Sequence, residues 1–175
     1  MKVSKRTIEL AKLGDRKAFE EIFYSYVNYL AAFVNTIINN RQESEDVVMD
    51  VMSTLPEKIK TIYEESRGNF ETWLFTLAKN EAYRYLKEAN KRNEVPLEVA
   101  VELGEDGFIV SYDDFYIENL KSILDAEEYQ IIVLKYVLGF KIREISEILN
   151  ISSSKVKRTF SKAYNKINNY MKNNI

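Results

Sequence analysis

The sequence contains neither cysteine nor histidine. Their absence excludes disulfides, thiolate and imidazole metal sites, and catalysis by Cys/His or Ser/His/Asp groups. Glycine and proline are also rare, at five and two residues among 175, and few β-branched residues alternate with a period of two. This composition favours an all-α chain. We therefore expect a protein that is not an enzyme and that carries no metal and no cofactor.

Long apolar runs are missing as well. The stretch "MKVSKRTIELAKLGDRKAF" has a charged side chain every few residues, so it fits neither a signal peptide nor a membrane span. We expect a cytoplasmic protein with no direct insertion into a membrane. With 46% hydrophobic residues, a chain of this length can form one medium domain or two small helical ones.

The formal net charge of −2 conceals three blocks of different sign. Residues 1–93 carry a net charge of +1, residues 94–128 carry −10 and residues 129–175 carry +7. A solvated helix normally mixes its charges, so one-sided blocks indicate electrostatic partners. The basic block fits contact with phosphates, although a Lys-rich solvated helix would have the same composition.

Apolar side chains recur at three- and four-residue spacing through the first half of the chain, which predicts helices. The range Val3–Leu13 predicts a short amphipathic helix. A long buried helix follows, with apolar positions at Phe19, Ile22, Phe23, Tyr26, Tyr29, Leu30, Phe33, Val34 and Ile37. Ser44 is expected to cap a third helix, in which Pro56 predicts a kink or break. A fourth helix begins after Gly68, with an apolar stripe at Phe70, Trp73, Leu74, Leu77 and Ala78.

The helical pattern stops between Asn93 and Glu118. This segment holds a proline, two glycines and many acids, with too little periodicity for a regular element. It predicts an acidic linker, residues 93–118, that joins two small helical domains at 1–92 and 119–175. Fully extended, such a linker spans about 80 Å. A solvated loop with a short helix or strand fits the same residues.

The last part of the chain predicts four helices with a helix-turn-helix at their centre. Ile145 and Leu149 mark its first helix and Asn150 its turn, while Val156 and Phe160 mark the core side of its second helix. Asn tolerates the left-handed conformation that this turn requires. Any three-helix core gives a similar apolar spacing, so the outer face of the second helix has to decide the function.

That outer face is polar and basic. Ser152 is placed to cap the second helix. The exposed positions are then Ser153, Ser154, Lys155, Lys157, Arg158 and Lys162. Long hydrogen-bond donors at the start of such a helix suit base edges in the major groove. The sequence therefore predicts that this helix binds duplex DNA.

Four stretches in a fixed order resemble one known family. They are "DRKAFEEIFYSYVNYL", "SEDVVMDVM", "RGNFETWLFTLAKNEAYRYLK" and "IREISEILNISSSKVKRTFSKAYNKI". The chain is similar to the extracytoplasmic-function (ECF) sigma factors, the smallest group of bacterial RNA polymerase sigma subunits. The four stretches and the acidic linker together cover nearly the whole chain. The resemblance implies a protein that directs promoter recognition and transcription initiation.

The resemblance also implies how the chain is divided. Residues 1–92 match region 2, which binds core polymerase and the minus-10 element, and residues 119–175 match region 4, which binds the minus-35 element through the basic helix. The acidic linker would run through the positively charged polymerase cleft. The implied partners are promoter DNA, the β′ coiled coil and β flap of core RNA polymerase, and, in some members, an anti-sigma factor.

Two sets of site residues follow from the family. The helix matching "SEDVVMDVM" contacts the β′ coiled coil, and Asp46, Met49 and Asp50 match that surface.

An unstacked base needs an aromatic or polar pocket with cations along the phosphates. The residues that match this minus-10 surface are Lys60, Tyr63, Arg67, Asn69, Lys79, Asn80, Tyr83, Arg84 and Lys87.

The sequence departs from the family pattern at several positions. Arg84 stands where the family usually has Asp, and the basic run that follows is diluted to "KEANKR". Asn150 replaces the usual turn glycine, and Ser154 and Lys155 stand where Gly and Thr are common. We expect these departures to leave the fold intact and to affect which promoter sequence is recognised and how strongly the duplex is opened.

Two interpretations from other classes fit parts of the sequence. One is a stand-alone helix-turn-helix regulator that binds an operator as a dimer, although no heptad seam is evident. The other is a degenerate sigma relative that acts only as a protein-binding module. Association with core polymerase and transcription from a particular promoter would discriminate among the three.

Overall fold

The computed structural model describes residues 3–91 and 120–174, except for the side chains of Arg67, Asn173 and Asn174. The regular structure in these ranges consists of helices. No strand occurs in these ranges, and the prediction of an all-α chain is confirmed. Contacts between Cα atoms divide the chain into two units, Met1–Glu102 and Leu103–Ile175. The predicted linker, residues 93–118, lies outside the described ranges.

The first unit contains four long or medium helices: α1 (Lys5–Lys12), α2 (Arg16–Ile38), α3 (Arg41–Thr61) and α4 (Phe70–Lys91). Side-chain caps begin them, because the first N–H groups of a helix have no partner within it. Ser4 Oγ accepts from the N–H of Thr7 at 3.0 Å, and Asn69 Oδ1 accepts from the N–H of Thr72 at 2.7 Å. The predicted start of α4 after Gly68 is thus confirmed.

Helix α3 begins at a different cap from the predicted one, and it is not broken at Pro56. Its cap is Asn40, whose Oδ1 accepts from the N–H of Glu43 at 3.1 Å, because Asn40 has the extended backbone that a cap requires. Ser44 is therefore not the cap; it is buried one turn inside the helix, and its Oγ donates to the Asn40 carbonyl at 2.5 Å. Pro56 does not end the helix, since Leu55 and Ile59 beside it are buried and hold the last turns in place.

The core of the first unit lies between α2, α3 and α4. Its largest fully buried side chains are Ile22, Tyr26, Leu30, Phe33, Ile59, Phe70, Leu74 and Phe75. Phe19, Phe23, Tyr29 and Ile37, which share the predicted stripe of α2, are only partly buried. The buried residues of α2 begin at Ala18 and end at Ile38, so the buried face differs slightly from the predicted apolar stripe.

The second unit contains α5 (Ala126–Ile132), which continues as a π turn over Val133–Val137, followed by α6 (Ile142–Leu149) and α7 (Ser153–Asn174). The first of the four predicted helices falls largely outside the described ranges. Asn150 joins α6 to α7 in the left-handed conformation, with φ 56° and ψ 46°, as predicted. Ser152 Oγ accepts from the N–H of Lys155 at 3.2 Å, so the predicted cap of α7 is confirmed.

The core of this unit fixes α7 against α5 and α6. Its fully buried members include Ile131, Leu134, Ile145, Ile148, Val156 and Ala163. Phe160 packs against this core, as predicted, and is partly buried; its ring centroid lies 5.7 Å from that of Tyr136 and 6.3 Å from that of Tyr164. The helix-turn-helix predicted at Ile145 to Phe160 is therefore present, with α7 as its second helix.

Candidate nucleic-acid and polymerase interfaces

Three side chains predicted to contact polymerase share one exposed face of α3. Asp46 and Asp50 lie four residues apart, and Met49 lies beside them with half of its surface exposed. Neither carboxylate has an ion-pair partner in residues 3–91. An exposed, flexible methionine between two free acids can adapt to a basic partner surface.

The minus-10 candidates on α4 differ in accessibility. Asn80, Tyr83 and Lys87 are exposed, and Tyr83 has 52% of its surface free. Lys79 is buried, and this burial lowers the pKa of its ammonium. Because the aliphatic part of the Lys79 side chain packs within the fold, the ammonium group can reach only the edge of the exposed face of α4.

Arg84 is engaged by two acids of its own helix. Its Nε donates to Glu81 at 3.0 Å and its Nη1 donates to Glu88 at 3.0 Å. The hydrogen bond from Arg84 lowers the pKa of Glu81, and the bond with Glu81 raises the pKa of Arg84. To contact a DNA phosphate, the guanidinium of Arg84 has to release one of these carboxylates, or bind the phosphate and the carboxylates together.

The loop between α3 and α4 holds the other minus-10 candidates. Tyr63 is 6% exposed, and its ring centroid lies 5.4 Å from that of Phe70 and 5.1 Å from that of Trp73. This tyrosine is thus part of an aromatic core cluster, a placement that the residue spacing alone did not indicate. Lys60 is exposed, and Asn69 caps α4. Arg67 lies in the 3₁₀ turn Glu65–Arg67, and its side chain is outside the described part of the chain.

Helix α1 packs against this loop through charged contacts. Lys5 forms an ion pair with Glu65, and Lys12 Nζ lies 4.8 Å above the ring of Tyr63. The Tyr26 hydroxyl connects the same region, accepting from the N–H of Val3 at 3.3 Å and donating to Glu71 at 3.0 Å. Because α1 and α4 both hold the loop, its conformation depends on tertiary contacts.

The predicted minus-35 residues lie on α7. Ser154, Lys157, Arg158 and Lys162 are exposed, whereas Ser153 and Lys155 are partly buried. Lys157 and Arg158 have no ion pair with a residue of 3–91 or 120–174. Arg158 is thus an exposed cation in the second turn of the second helix of the helix-turn-helix.

Three other lysines of α7 are paired with acids at the start of α5. Lys155 Nζ lies 2.8 Å from Glu127 Oε1, Lys162 Nζ lies 2.9 Å from Glu128 Oε1, and Lys166 Nζ lies 2.6 Å from Glu128 Oε2. Lys162 also lies 3.4 Å from Asp125. We call Asp125, Glu127 and Glu128 the acidic turn.

Sequence reasoning did not single out the acidic turn. Asp125 and Glu128 form a capping box, in which each side chain bonds the backbone N–H of the other at 2.9 Å. The spacing of an acid and a glutamate three residues later could have revealed this box. The pairing with α7 could not be read from spacing, because it joins residues between 28 (Lys155 and Glu127) and 38 (Lys166 and Glu128) positions apart.

In residues 3–91 and 120–174 no helix is long and apolar enough to cross a membrane. The same ranges contain no cluster of three acidic side chains arranged to hold a metal ion.

Comparisons with known proteins agree in both units. Residues 22–92 match the family description Sigma-70 region 2, and residues 115–167 match Sigma-70, region 4. The chain is 26% identical to "ECF RNA polymerase sigma factor SigW" of Bacillus subtilis (strain 168), over 87% of this chain and 88% of that protein. It is 21% identical to "ECF RNA polymerase sigma factor SigX" of the same strain, over 82% and 78%.

Solved structures show the same fold. The sigma factor RpoE from Bartonella quintana, solved in complex with the anti-sigma factor NepR, superimposes with a TM-score of 0.66 at 23% identity, over 89% of this chain and 98% of that one. CnrH, solved with the cytosolic domain of CnrY, has a TM-score of 0.65 at 16% identity, over 97% of both chains.

Proposed function

Because the chain belongs to the ECF group of RNA polymerase sigma factors, we propose that its two units divide the promoter between them. Residues 1–92 bind core polymerase and the minus-10 element, residues 93–118 connect the units, and residues 119–175 bind the minus-35 element. The protein acts in transcription initiation as a specificity subunit, and sigma factors are in general not enzymes. The observation that carries the division is that Arg158 and Lys157, on the second helix of a helix-turn-helix, are exposed and have no ion-pair partner in residues 3–91 and 120–174.

For the minus-35 element we propose contact through α7. Arg158 and Ser154 face outward near the start of the helix and would read base edges, while Lys157 would meet the backbone. Ser153, Lys155 and Lys162 complete the proposed set. The two lysines contact DNA while they share or leave the carboxylates of the acidic turn.

For the minus-10 element we propose that exposed side chains of α4 and its preceding loop hold the opened strand. Tyr83 offers an exposed ring for an unstacked base, and Asn80 offers an amide beside it. The remaining cationic or polar members are Lys60, Arg67, Asn69, Lys79, Arg84 and Lys87. Tyr63 supports this surface from the core, since its ring packs against Phe70 and Trp73.

For core polymerase we propose that Asp46, Met49 and Asp50 bind the β′ coiled coil and that region 4 contacts the β flap. We also propose that an anti-sigma factor can bind this chain, since RpoE of Bartonella quintana was solved in complex with the anti-sigma factor NepR. We place the protein in the cytoplasm, where its polymerase and promoters are, and no membrane-spanning helix is found in residues 3–91 and 120–174.

A reconstituted transcription assay tests this function. Core RNA polymerase from the source bacterium is incubated with fragments of its genome, with and without the purified full chain, and transcript 5′ ends are mapped. We expect new transcripts that share one spaced pair of upstream motifs. DNA binding without core polymerase and without new transcripts would instead identify a stand-alone regulator, and the absence of both would identify a protein-binding module.

A further inference from the structure

In region 4, acidic side chains at the start of α5 form ion pairs with several lysines of α7. Three of the lysines on α7 lie within 3 Å of a carboxylate of the acidic turn, at Glu127 or Glu128. Lys157 and Arg158, on the same helix, are exposed and have no ion pair with any residue of 120–174. The helix therefore has two classes of cation: lysines that must share or leave a carboxylate before they contact DNA, and Lys157 and Arg158, which have no such partner in residues 120–174.

Glu128 is held firmly in this arrangement. It is fully buried, and its Oε2 accepts from the N–H of Asp125 at 2.9 Å as well as from Lys166 at 2.6 Å. The carboxylate cannot swing away from α7 without losing the backbone bond of the capping box. Glu127 is more accessible, and its ion pair is with Lys155, at 2.8 Å.

An ion pair with a carboxylate of the protein reduces the affinity that a lysine adds when it contacts a DNA phosphate. A lysine that neutralises a phosphate adds affinity for every sequence and steepens the salt dependence by about 0.9 in log–log slope. A lysine already paired with a carboxylate exchanges one anion for another, so the net gain from phosphate is small. Base contacts by Arg158 meet no such competition, because no acid of the described ranges pairs with it.

We propose that the acidic turn is a specificity determinant of region 4. By holding Lys155, Lys162 and Lys166, it suppresses binding to arbitrary DNA and leaves a larger share of the affinity to base contacts. This inference rests on the proposed binding of the minus-35 element by α7. It assigns to Glu127 and Glu128 a role opposite to that of a DNA-contacting residue, because their removal strengthens non-specific binding.

Glu127→Gln is the main test, because Glu127 is partly exposed and its loss leaves the capping box intact. Binding of the full chain is measured by fluorescence anisotropy at several salt concentrations. The probes are a duplex selected by the wild type and a scrambled duplex of the same length and composition. For Glu127→Gln we expect roughly fivefold tighter binding to the scrambled duplex, a salt slope steeper by about 0.9, and a smaller selected-to-scrambled ratio.

Glu57→Gln is the matched control. Glu57 is an exposed acid of α3, so its substitution changes the net charge by the same amount without freeing a lysine of α7. Lys155→Ala with Glu127→Gln should return the slope to that of Lys155→Ala alone. Glu128→Gln, checked for folding by circular dichroism, should steepen the slope further, since it frees two lysines.

The outcomes separate this inference from the proposed function. If Glu127→Gln and Glu57→Gln change scrambled-site binding equally, or if Glu127→Gln weakens it, the acidic turn has no role in specificity. A wild-type chain that selects no duplex, alone or with core polymerase, would overturn the proposed DNA binding itself.

Discussion

The carboxylate of Glu128 and the ammonium of Lys166 lie 2.6 Å apart and join the first turn of α5 to the middle of α7. The two residues are separated by 38 positions, so the pair forms only when the second unit has folded. Burial opposes the charge of Glu128, but the hydrogen bonds from Lys166 and the Asp125 N–H and the ion pair with Lys162 outweigh it and lower its pKa to about 2. The charged form is thus the one that the fold stabilises.

Acid should weaken the second unit through this carboxylate. A folded pKa below the ordinary 4.5 stabilises the fold above that pH, and the stabilisation is lost as pH falls from about 4.5 towards 2. Glu128→Gln should lower the unfolding free energy at pH 7 by about 1–3 kcal/mol and flatten its decline in acid. Chemical denaturation between pH 2 and 7 measures both, and an equally steep decline in the variant would contradict the assignment.

The turn of the helix-turn-helix should depend on the conformation of Asn150. Its φ of 56° is left-handed, which costs an ordinary side chain about 1–2 kcal/mol. Asn150→Ala should therefore destabilise the second unit by about 1 kcal/mol, while Asn150→Gly should be neutral or slightly stabilising. Thermal unfolding of the two variants compares them directly, and equal loss in both would argue against strain at this turn.

Two tyrosines of the minus-10 surface should behave differently on truncation. Tyr63→Ala should destabilise the first unit by about 3–5 kcal/mol, because the ring lies in the aromatic cluster with Phe70 and Trp73. Tyr83→Ala should leave the unfolding temperature unchanged and weaken promoter opening by about 1–3 kcal/mol, since its exposed ring is available for base stacking. Permanganate footprinting of the open complex, alongside thermal unfolding, distinguishes the two effects.

The exposed acids of α3 should govern association with polymerase. Asp46→Arg with Asp50→Arg places two positive charges on one face of the helix, so binding to core polymerase should be lost while circular dichroism is unchanged. Glu9→Arg with Glu20→Arg is a control of equal charge, placed on exposed positions of α1 and α2. A pull-down in which both double variants retain core polymerase would remove this face from the interface.

Arg158 and Lys157 should separate base reading from backbone contact. Arg158→Ala should cost about 1–3 kcal/mol on the selected minus-35 site and relax the preference at particular base pairs. Lys157→Ala should weaken all sequences alike and reduce the salt slope by about 0.9. Binding-site selection with each variant provides the test, and the reverse pattern would mean that α7 enters the groove in another orientation.

Local physical chemistry determined most of the fold from the sequence. Helical periodicity, the start of α4 after Gly68, the Ser152 cap and the left-handed Asn150 each depend on residues within a few positions, so their patterns were readable. The family resemblance supplied the order of the two regions. The prediction of Ser44 as the cap of α3 was wrong, because Asn40, four residues earlier, has the extended backbone of a cap and bonds the N–H of Glu43.

Only the tertiary structure decided which site residues are accessible and which charges are neutralised. Tyr63 and Lys79 match a nucleic-acid surface in sequence, yet packing buries both. The pairing of three lysines with the acidic turn depends on how α7 lies against α5, a relationship that no short spacing encodes. Charge is a property of composition, but its availability to DNA depends on distances between side chains far apart in the chain.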